Sequence, residues 1–157
     1  MNYSNTNKSA KHPPLQYLSP LHRAIRQIQD HLNAKSAPMG ISGTEGHLLS
    51  YLLSYSPVPV GDLVRVFGVK KSTLTGVLDR MEKSGFILRI LNPSDRRSFL
   101  LELTPKGQTI ATKVRAQLDE FEASLEKQLS TQDKLAFNHL MKAISLVTLT
   151  NQKESTP

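Results

Sequence analysis

The chain has 157 residues, with 20 Lys and Arg against 13 Asp and Glu, a net charge of +7 and no cysteine. That length holds one compact domain with a real core but not two unrelated ones. The missing thiols exclude Cys-based zinc fingers, structural disulfides and thiol redox switches. No apolar run approaches the ~20 residues of a membrane span, and residues 1–14 lack the apolar stretch of a secretion signal, so a soluble, cytoplasmic protein is expected. The basic surplus is uneven, +3 over residues 1–56, +3 over 57–104 and +1 over 105–157. It points to a polyanion such as nucleic acid, binding of which replaces condensed counterions with fixed Lys and Arg; a charge that only keeps the protein soluble is the alternative.

Met1 to Pro14 is polar and closes on His12-Pro13-Pro14; it buries too little apolar surface to offset chain entropy and is expected to be a disordered tail. Ser19-Pro20 reads as an N-cap followed by a first helical Pro, and Leu21, Ile25, Ile28 and Leu32 give this first helix an apolar face. Ser42 and Glu45 fit a capping box opening a second helix through Leu48, Leu49, Leu52 and Leu53, which Pro57 ends. Asp62 to Phe67 is a short third helix closed by Gly68. The fourth begins near Lys71. At 100° per residue Leu74, Val77, Leu78 and Met81 share one face, Ser72, Gly76, Asp79 and Lys83 lie opposite, and Thr73, Thr75 and Arg80 flank them. Gly85 stops it.

Two apolar runs, Phe86 to Leu91 and Phe99 to Thr104, flank the turn-forming Asn92-Pro93-Ser94-Asp95 and predict a hairpin with a basic tip. Thr104-Pro105 starts a long fifth helix with Ile110, Val114, Leu118, Phe121, Leu125 and Leu129 on one stripe, and such a stripe needs a partner along its whole length. Ser130 and Asp133 form a second candidate capping box, opening a sixth helix with Leu135, Leu140, Ile144 and Val147. The fold class is mainly α with a small β-hairpin wing (α+β). Its expected organisation is a tail over 1–14, N-terminal dimerisation and scaffold helices over 15–56, a winged helix-turn-helix over 57–104, C-terminal dimerisation helices over 105–150 and a tail over 151–157.

A short helix, a Gly turn, a second helix with a polar outer face and a basic hairpin are the parts of a winged helix-turn-helix. Ser72-Thr73-Leu74-Thr75 and Leu78-Asp79-Arg80-Met81-Glu82 with Gly85 resemble the S-x-x-T and D-R-L-E-x-x-G pattern of the MarR family of bacterial winged-helix transcription regulators. Asp95-Arg96-Arg97-Ser98-Phe99-Leu100-Leu101-Glu102-Leu103-Thr104 is similar to that family's wing signature D-x-R-x-x-x-V-x-L-T, with Leu at the Val position. Thr104-Pro105-Lys106-Gly107 resembles its step into the fifth helix. The resemblance covers about residues 15–150. It implies a homodimer, in which the first, fifth and sixth helices of both subunits pack together, displaying two winged domains to a pseudo-palindromic operator in double-stranded DNA. Two features depart from the pattern. Lys70 stands where an N-cap would start the recognition helix, leaving Ser72 or a DNA phosphate to complete that end. Gly76 stands where many relatives carry Arg.

Arg97, with Arg96 beside it, is a candidate for the minor groove, where negative potential attracts Arg; a solvated charge paired with Asp95 is the alternative. Asp95 is expected to stabilise the wing by fixing its Arg. Thr73, Thr75 and Arg80, with Ser72, are the recognition-helix candidates, and Lys70 and Lys71 are phosphate anchors. Leu21, Ile25, Leu118, Phe121, Leu140 and Ile144 are the expected dimer contacts. Tyr51 lies one turn before Tyr55, in a region that in this family borders a ligand crevice; Arg23, His47 and Tyr51 are candidates for a small aromatic or anionic effector, against plain packing. His22, His47 and His139 have no metal-ligand spacing, and no metal or cofactor is expected. No phosphate-cradling Gly loop, nucleophile elbow or spaced His and carboxylate set points to an enzyme. The expected function is a dimeric, sequence-specific DNA-binding regulator, a repressor released by a small ligand. The alternative is a winged-helix module for protein interaction without sequence-specific DNA binding.

Overall fold

The computed structural model describes residues 12–153, apart from the side chains of residues 96 and 149–153. The order is α1 (Leu18–Ser36), a 3-10 turn (Ala37–Met39), α2 (Gly43–Tyr55), β1 (Val58–Pro59), α3 (Val60–Phe67), α4 (Lys71–Lys83), β2 (Ile87–Asn92), β3 (Asp95–Leu103), α5 (Pro105–Glu126) and α6 (Thr131–Lys153). The mainly helical chain with a β wing is as expected, but the sheet has a third strand. β1 pairs antiparallel with β3, giving the order β1-β3-β2. Val58-Pro59 is too short to show a periodicity of its own in the sequence. Residues 1–11 and 154–157, which hold most of the two expected tails, lie outside the described residues. No helix among the described residues is long and apolar enough to cross a membrane.

The chain divides into two compact units, the break falling inside α5 between Arg115 and Ala116. In the first, the core is a cluster of Leu48, Leu49 and Leu52 from α2, Leu63 from α3, Leu74, Leu78 and Met81 from α4, Ile87 from β2 and Leu101 from β3, all 2% exposed or less. Each such side chain contributes about 1.5–3 kcal/mol on burial. The α2 capping box forms as expected: Ser42 Oγ accepts from the Glu45 amide at 3.2 Å and Glu45 Oε2 accepts from the Ser42 amide at 2.8 Å. α1 begins differently. Its N-cap is Tyr17, with no side-chain bond, and Ser19 and Pro20 lie inside the first turn, where the absent proline N–H has no intrahelical partner to lose. Two glycines that periodicity does not single out bring α2 close to its neighbours: a Cβ on Gly43 would meet Leu32 at 3.0 Å, and one on Gly46 would meet Ser36 at 3.1 Å and Val114 at 3.3 Å.

α5 starts at Pro105, and its threonine cap also ties it to the wing. Thr104 Oγ1 accepts from the Gly107 amide at 3.0 Å and donates to the Gly85 carbonyl at 2.6 Å. Gly107 sits so close to the strand entry that a Cβ there would lie 1.8 Å from the Phe86 carbonyl oxygen. Lys106 continues the junction, donating to the Ser84 carbonyl at 2.8 Å with its ammonium 4.9 Å from the centre of the Phe86 ring.

In the second unit α5 ends at Glu126 rather than at Leu129, so the apolar stripe expected to run to Leu129 leaves the helix after Leu125. The Ser130–Asp133 capping box then opens α6, with Ser130 Oγ accepting from the Asp133 amide at 3.2 Å and Asp133 Oδ2 accepting from the Ser130 amide at 2.9 Å. These bonds hold the Asp133 carboxyl below its usual pKa, as Lys134, 2.6 Å away, does for Glu126. Leu125, Leu129, Leu135, Phe137, Ile144, Leu146 and Val147 are all more than a third exposed in the single chain.

α2 and α3 meet through aromatic rings. His47 packs edge-on against Phe67 at 4.9 Å, and partial burial there lowers its pKa from 6.5.

Two predictions concern this fold. Gly107→Ala forces the Phe86 carbonyl to move and should cost about 3 kcal/mol, read as a lowered midpoint in urea; an unchanged midpoint would mean that the junction yields freely. For His47, the folded state favours the neutral imidazole, so its contribution is complete above 6.5, the unfolded value. It is lost as pH falls from there through the lowered folded value. The urea midpoint should therefore decline below that pH, and His47→Gln should remove this part of the decline; an equal decline in the variant assigns it elsewhere.

Candidate nucleic-acid interface

The geometry begins with how α4 is held. Gly68 takes a left-handed conformation, φ 60°, which closes α3 and redirects the chain through Val69 and Lys70 into α4. Leu74, Val77, Leu78 and Met81 are buried, as their shared face requires, and Lys71, Ser72, Thr73, Thr75, Asp79, Arg80 and Lys83 are exposed. Lys70 is the N-cap, with no side-chain cap bond, and Ser72 does not supply one either. Thr75 Oγ1 donates back to the Lys71 carbonyl at 2.8 Å, which leaves its hydroxyl facing outward as an acceptor. Arg80 folds along its own helix, NH1 donating to the Gly76 carbonyl at 3.1 Å and Nε to Glu45 Oε1 of α2 at 3.3 Å.

The brace between helix and wing is Arg89, a residue the sequence reading passed over. From β2 it donates to Asp79 Oδ1 at 2.6 Å and reaches Glu82 Oε2 at 3.0 Å, both on α4. Its side chain is only 28% exposed, so the pairs are less screened than open surface pairs. They also neutralise two acids on a helix otherwise edged with Lys and Arg. The signal was a lone Arg inside the run Ile87-Leu88-Arg89-Ile90-Leu91.

The wing differs from a hairpin with arginines at its tip. β3 begins at Asp95, the turn is Pro93-Ser94, and Arg96 and Arg97 belong to the strand. Asn92 faces Asp95 while Leu91 faces Phe99, so residues 96–98 are accommodated as an irregularity in the register. Side-chain bonds hold it: Asn92 Oδ1 accepts from the Ser94 amide at 3.0 Å, Asn92 Nδ2 donates to Ser98 Oγ at 3.0 Å, and Asp95 Oδ1 accepts from the Arg97 amide at 3.0 Å. Asp95 thus fixes Arg97 by its main chain, with the Arg97 side chain exposed. The Arg96 side chain lies outside the described residues.

Helix and wing enclose a crevice of about 530 Å³, with Lys71 and Thr75 on one side, Arg89 and Arg97 on the other and Val64 and Phe99 among its apolar lining. The structure therefore brings Lys71, Thr75 and Arg97 round one space. Of the effector candidates, His47 and Tyr51 share the Phe67 ring, at 4.9 Å and 5.6 Å, and Tyr55 stacks on Tyr51 at 4.6 Å; Arg23 lies exposed on α1. Among the dimer candidates, Leu21 is half-buried and Ile25 exposed in the first unit, while in the second Leu118, Phe121 and Leu140 are half-buried and Ile144 is exposed. No cluster of His, Asp or Glu able to hold a metal occurs among the described residues.

Residues 41–99, from the α2 entry to the wing, match the model of the MarR family. The chain is 29% identical over 122 residues to the multiple antibiotic resistance protein MarR of Salmonella typhimurium, covering 76% of this chain and 85% of that one. It is 30% identical over 91 residues to the homoprotocatechuate degradative operon repressor of Escherichia coli, covering 57% and 62%. A crystal structure of a mutant MarR from E. coli complexed with operator DNA superposes with a TM-score of 0.67 and 26% identity, covering 81% of this chain and 92% of that one. The buried inner face of α4, the braced wing and these likenesses agree: residues 41–99 form a winged helix-turn-helix of the MarR type, and the chain is similar to MarR transcription regulators over most of its length.

Proposed function

We propose that this protein is a cytoplasmic, homodimeric, sequence-specific DNA-binding repressor that reads a pseudo-palindromic operator. The observation that carries this is the joint presentation of Lys71, Thr75 and Arg97 by recognition helix and wing around one crevice. A helix offering small hydroxyls beside cations suits a major groove, and an exposed Arg on a β ribbon suits the adjacent minor groove. In this reading Ser72, Thr73 and Thr75 approach base edges, Lys70, Lys71 and Arg80 meet phosphates, and Arg96 and Arg97 enter the minor groove, with Asp95 holding the wing. The operator-bound likeness supports it. So does the relative that is itself a repressor.

Homodimerisation rests on the apolar side chains that α5 and α6 leave exposed, together with Leu21, Ile25, Leu118, Phe121, Leu140 and Ile144 as contacts. A two-fold assembly matches a two-fold operator. Residues 15–56 and 105–150 form its dimerisation parts and 57–104 its DNA-binding part. A small aromatic or anionic effector near Arg23, His47 and Tyr51 releases the DNA, the rings at His47, Tyr51 and Phe67 offering it stacking surface. Such a ligand favours the DNA-free form by the factor by which it weakens DNA binding.

The test is selection of bound duplexes from a random-sequence pool, followed by a salt series on the enriched duplex. A repressor of this kind enriches one pseudo-palindrome and loses affinity steeply with salt, whereas a protein-interaction module enriches none. On that duplex Arg97→Ala should lose about 1–3 kcal/mol of binding with an unchanged melting temperature, because an exposed wing residue adds contact and little core. Equal affinity in the variant removes the wing from the interface. Leu118→Asp places a charge in the expected bundle and should yield monomer or aggregate; light scattering that still reports a stable dimer counts against this surface.

A further inference from the structure

We infer that Glu45 is a positioning residue for DNA recognition: one carboxylate, shared between the N-terminal cap of α2 and the guanidinium of Arg80, holds that guanidinium in the pose from which it meets a DNA phosphate. The inference rests on the reading of Arg80 as a DNA contact. Glu45 Oε2 is taken by the Ser42 amide at 2.8 Å and the Ser42 hydroxyl at 2.9 Å, while Oε1 accepts from Arg80 Nε at 3.3 Å. The two ends of this link differ in freedom. Glu45 is 13% exposed and fixed by its cap; Arg80 is 62% exposed and, as a long side chain, would otherwise sample many rotamers whose loss weakens binding.

The second restraint is the Gly76 carbonyl, one turn back at 3.1 Å from NH1. Gly76 leaves open space, since a Cβ there would meet nothing within 4 Å. A long cation at that position would compete for the space beside Arg80 and repel it one helical turn away. Glycine at 76 and glutamate at 45 therefore act together on one guanidinium. With Nε and NH1 bound to the protein, the NH2 edge remains for a phosphate, and a planar fork held by two acceptors is preorganised where a flexible ammonium is not.

The sign of one substitution decides the matter. A carboxylate beside a DNA-facing cation weakens binding by repulsion if it is a bystander, so Glu45→Gln would then tighten binding. Gln also completes a capping box, so the cap of α2 survives. The probe is a duplex enriched from a random pool by the unaltered protein, titrated over a salt series. Glu45→Gln should weaken binding about tenfold. Arg80→Gln should weaken it and reduce the salt slope by about one, and Glu45→Gln added to Arg80→Gln should cost nothing further. Arg80→Lys, which leaves α2 untouched and keeps the charge, should retain the slope yet lose affinity by about the same factor of ten. Tighter or equal binding by Glu45→Gln, full affinity in Arg80→Lys, or a Glu45→Gln loss that persists without Arg80 overturns the positioning role alone. Unchanged affinity and slope in Arg80→Gln instead overturns the DNA reading of Arg80 on which it rests.

Discussion

The structure turns on burial of one face of α4. Leu74, Leu78 and Met81 are each 1% exposed, and each contributes on the order of 2 kcal/mol by leaving water. That contribution fixes the rotation of the helix about its axis. Because residues of an α-helix advance by 100°, fixing the inner face also fixes which side chains face outward. Ser72, Thr73 and Thr75 need no other device to be presented together, and Arg80, placed beside them, is held further by Glu45. A slip of one position would turn polar side chains into the core at a cost no surface contact offsets.

Hydrophobic burial sets the rotation, but paired charges set what surrounds it. α4 carries Asp79, Arg80, Glu82 and Lys83 in its last turns, a mixture that alone offers a polyanion little. Arg89 from β2 takes both acids, and Glu45 from α2 takes Arg80. The acids of the helix thus hold the wing, and its cations stay at the edges. The tie is stronger than a typical surface pair because the Arg89 fork meets two carboxylates while largely covered.

Much of this was legible in the residues. The period of Leu74, Val77, Leu78 and Met81 reports the buried face, and the Ser-x-x-Glu and Ser-x-x-Asp spacings report two caps that form with both bonds each. What stayed hidden depends on partners distant in sequence. β1 is two residues whose strand character comes only from lying beside Leu100 and Leu101. Arg89 is a lone Arg in an apolar run, and its role shows only in its two acids on α4. Ser19 has the residue type of an N-cap, yet the helix starts two residues earlier, with Tyr17 as its cap and Leu18 as its first residue, because nothing stops Leu18 from adding to it. The arginines moved from tip to strand because the register irregularity at Leu91 and Asn92 lets β3 begin at Asp95, a detail that turn propensity does not encode.

The junction at Thr104 and Gly107 ties the wing to the first turns of α5. Three contacts converge there: the Thr104 hydroxyl on the Gly85 carbonyl, the Lys106 ammonium on the Ser84 carbonyl, and the Gly107 backbone against the Phe86 carbonyl at a separation that admits no side chain. The carbonyls at 84 and 85 leave the end of α4, and Phe86 leads into β2, so the end of the recognition helix, the root of the wing and the start of α5 share one cap. A helix start is normally its weakest point, with donors unmet; here the hydroxyl that meets one of them also locks the strand entry. The first turns of α5 are therefore joined to the root of the wing and the end of α4 by direct contacts, with no intervening loop at that point.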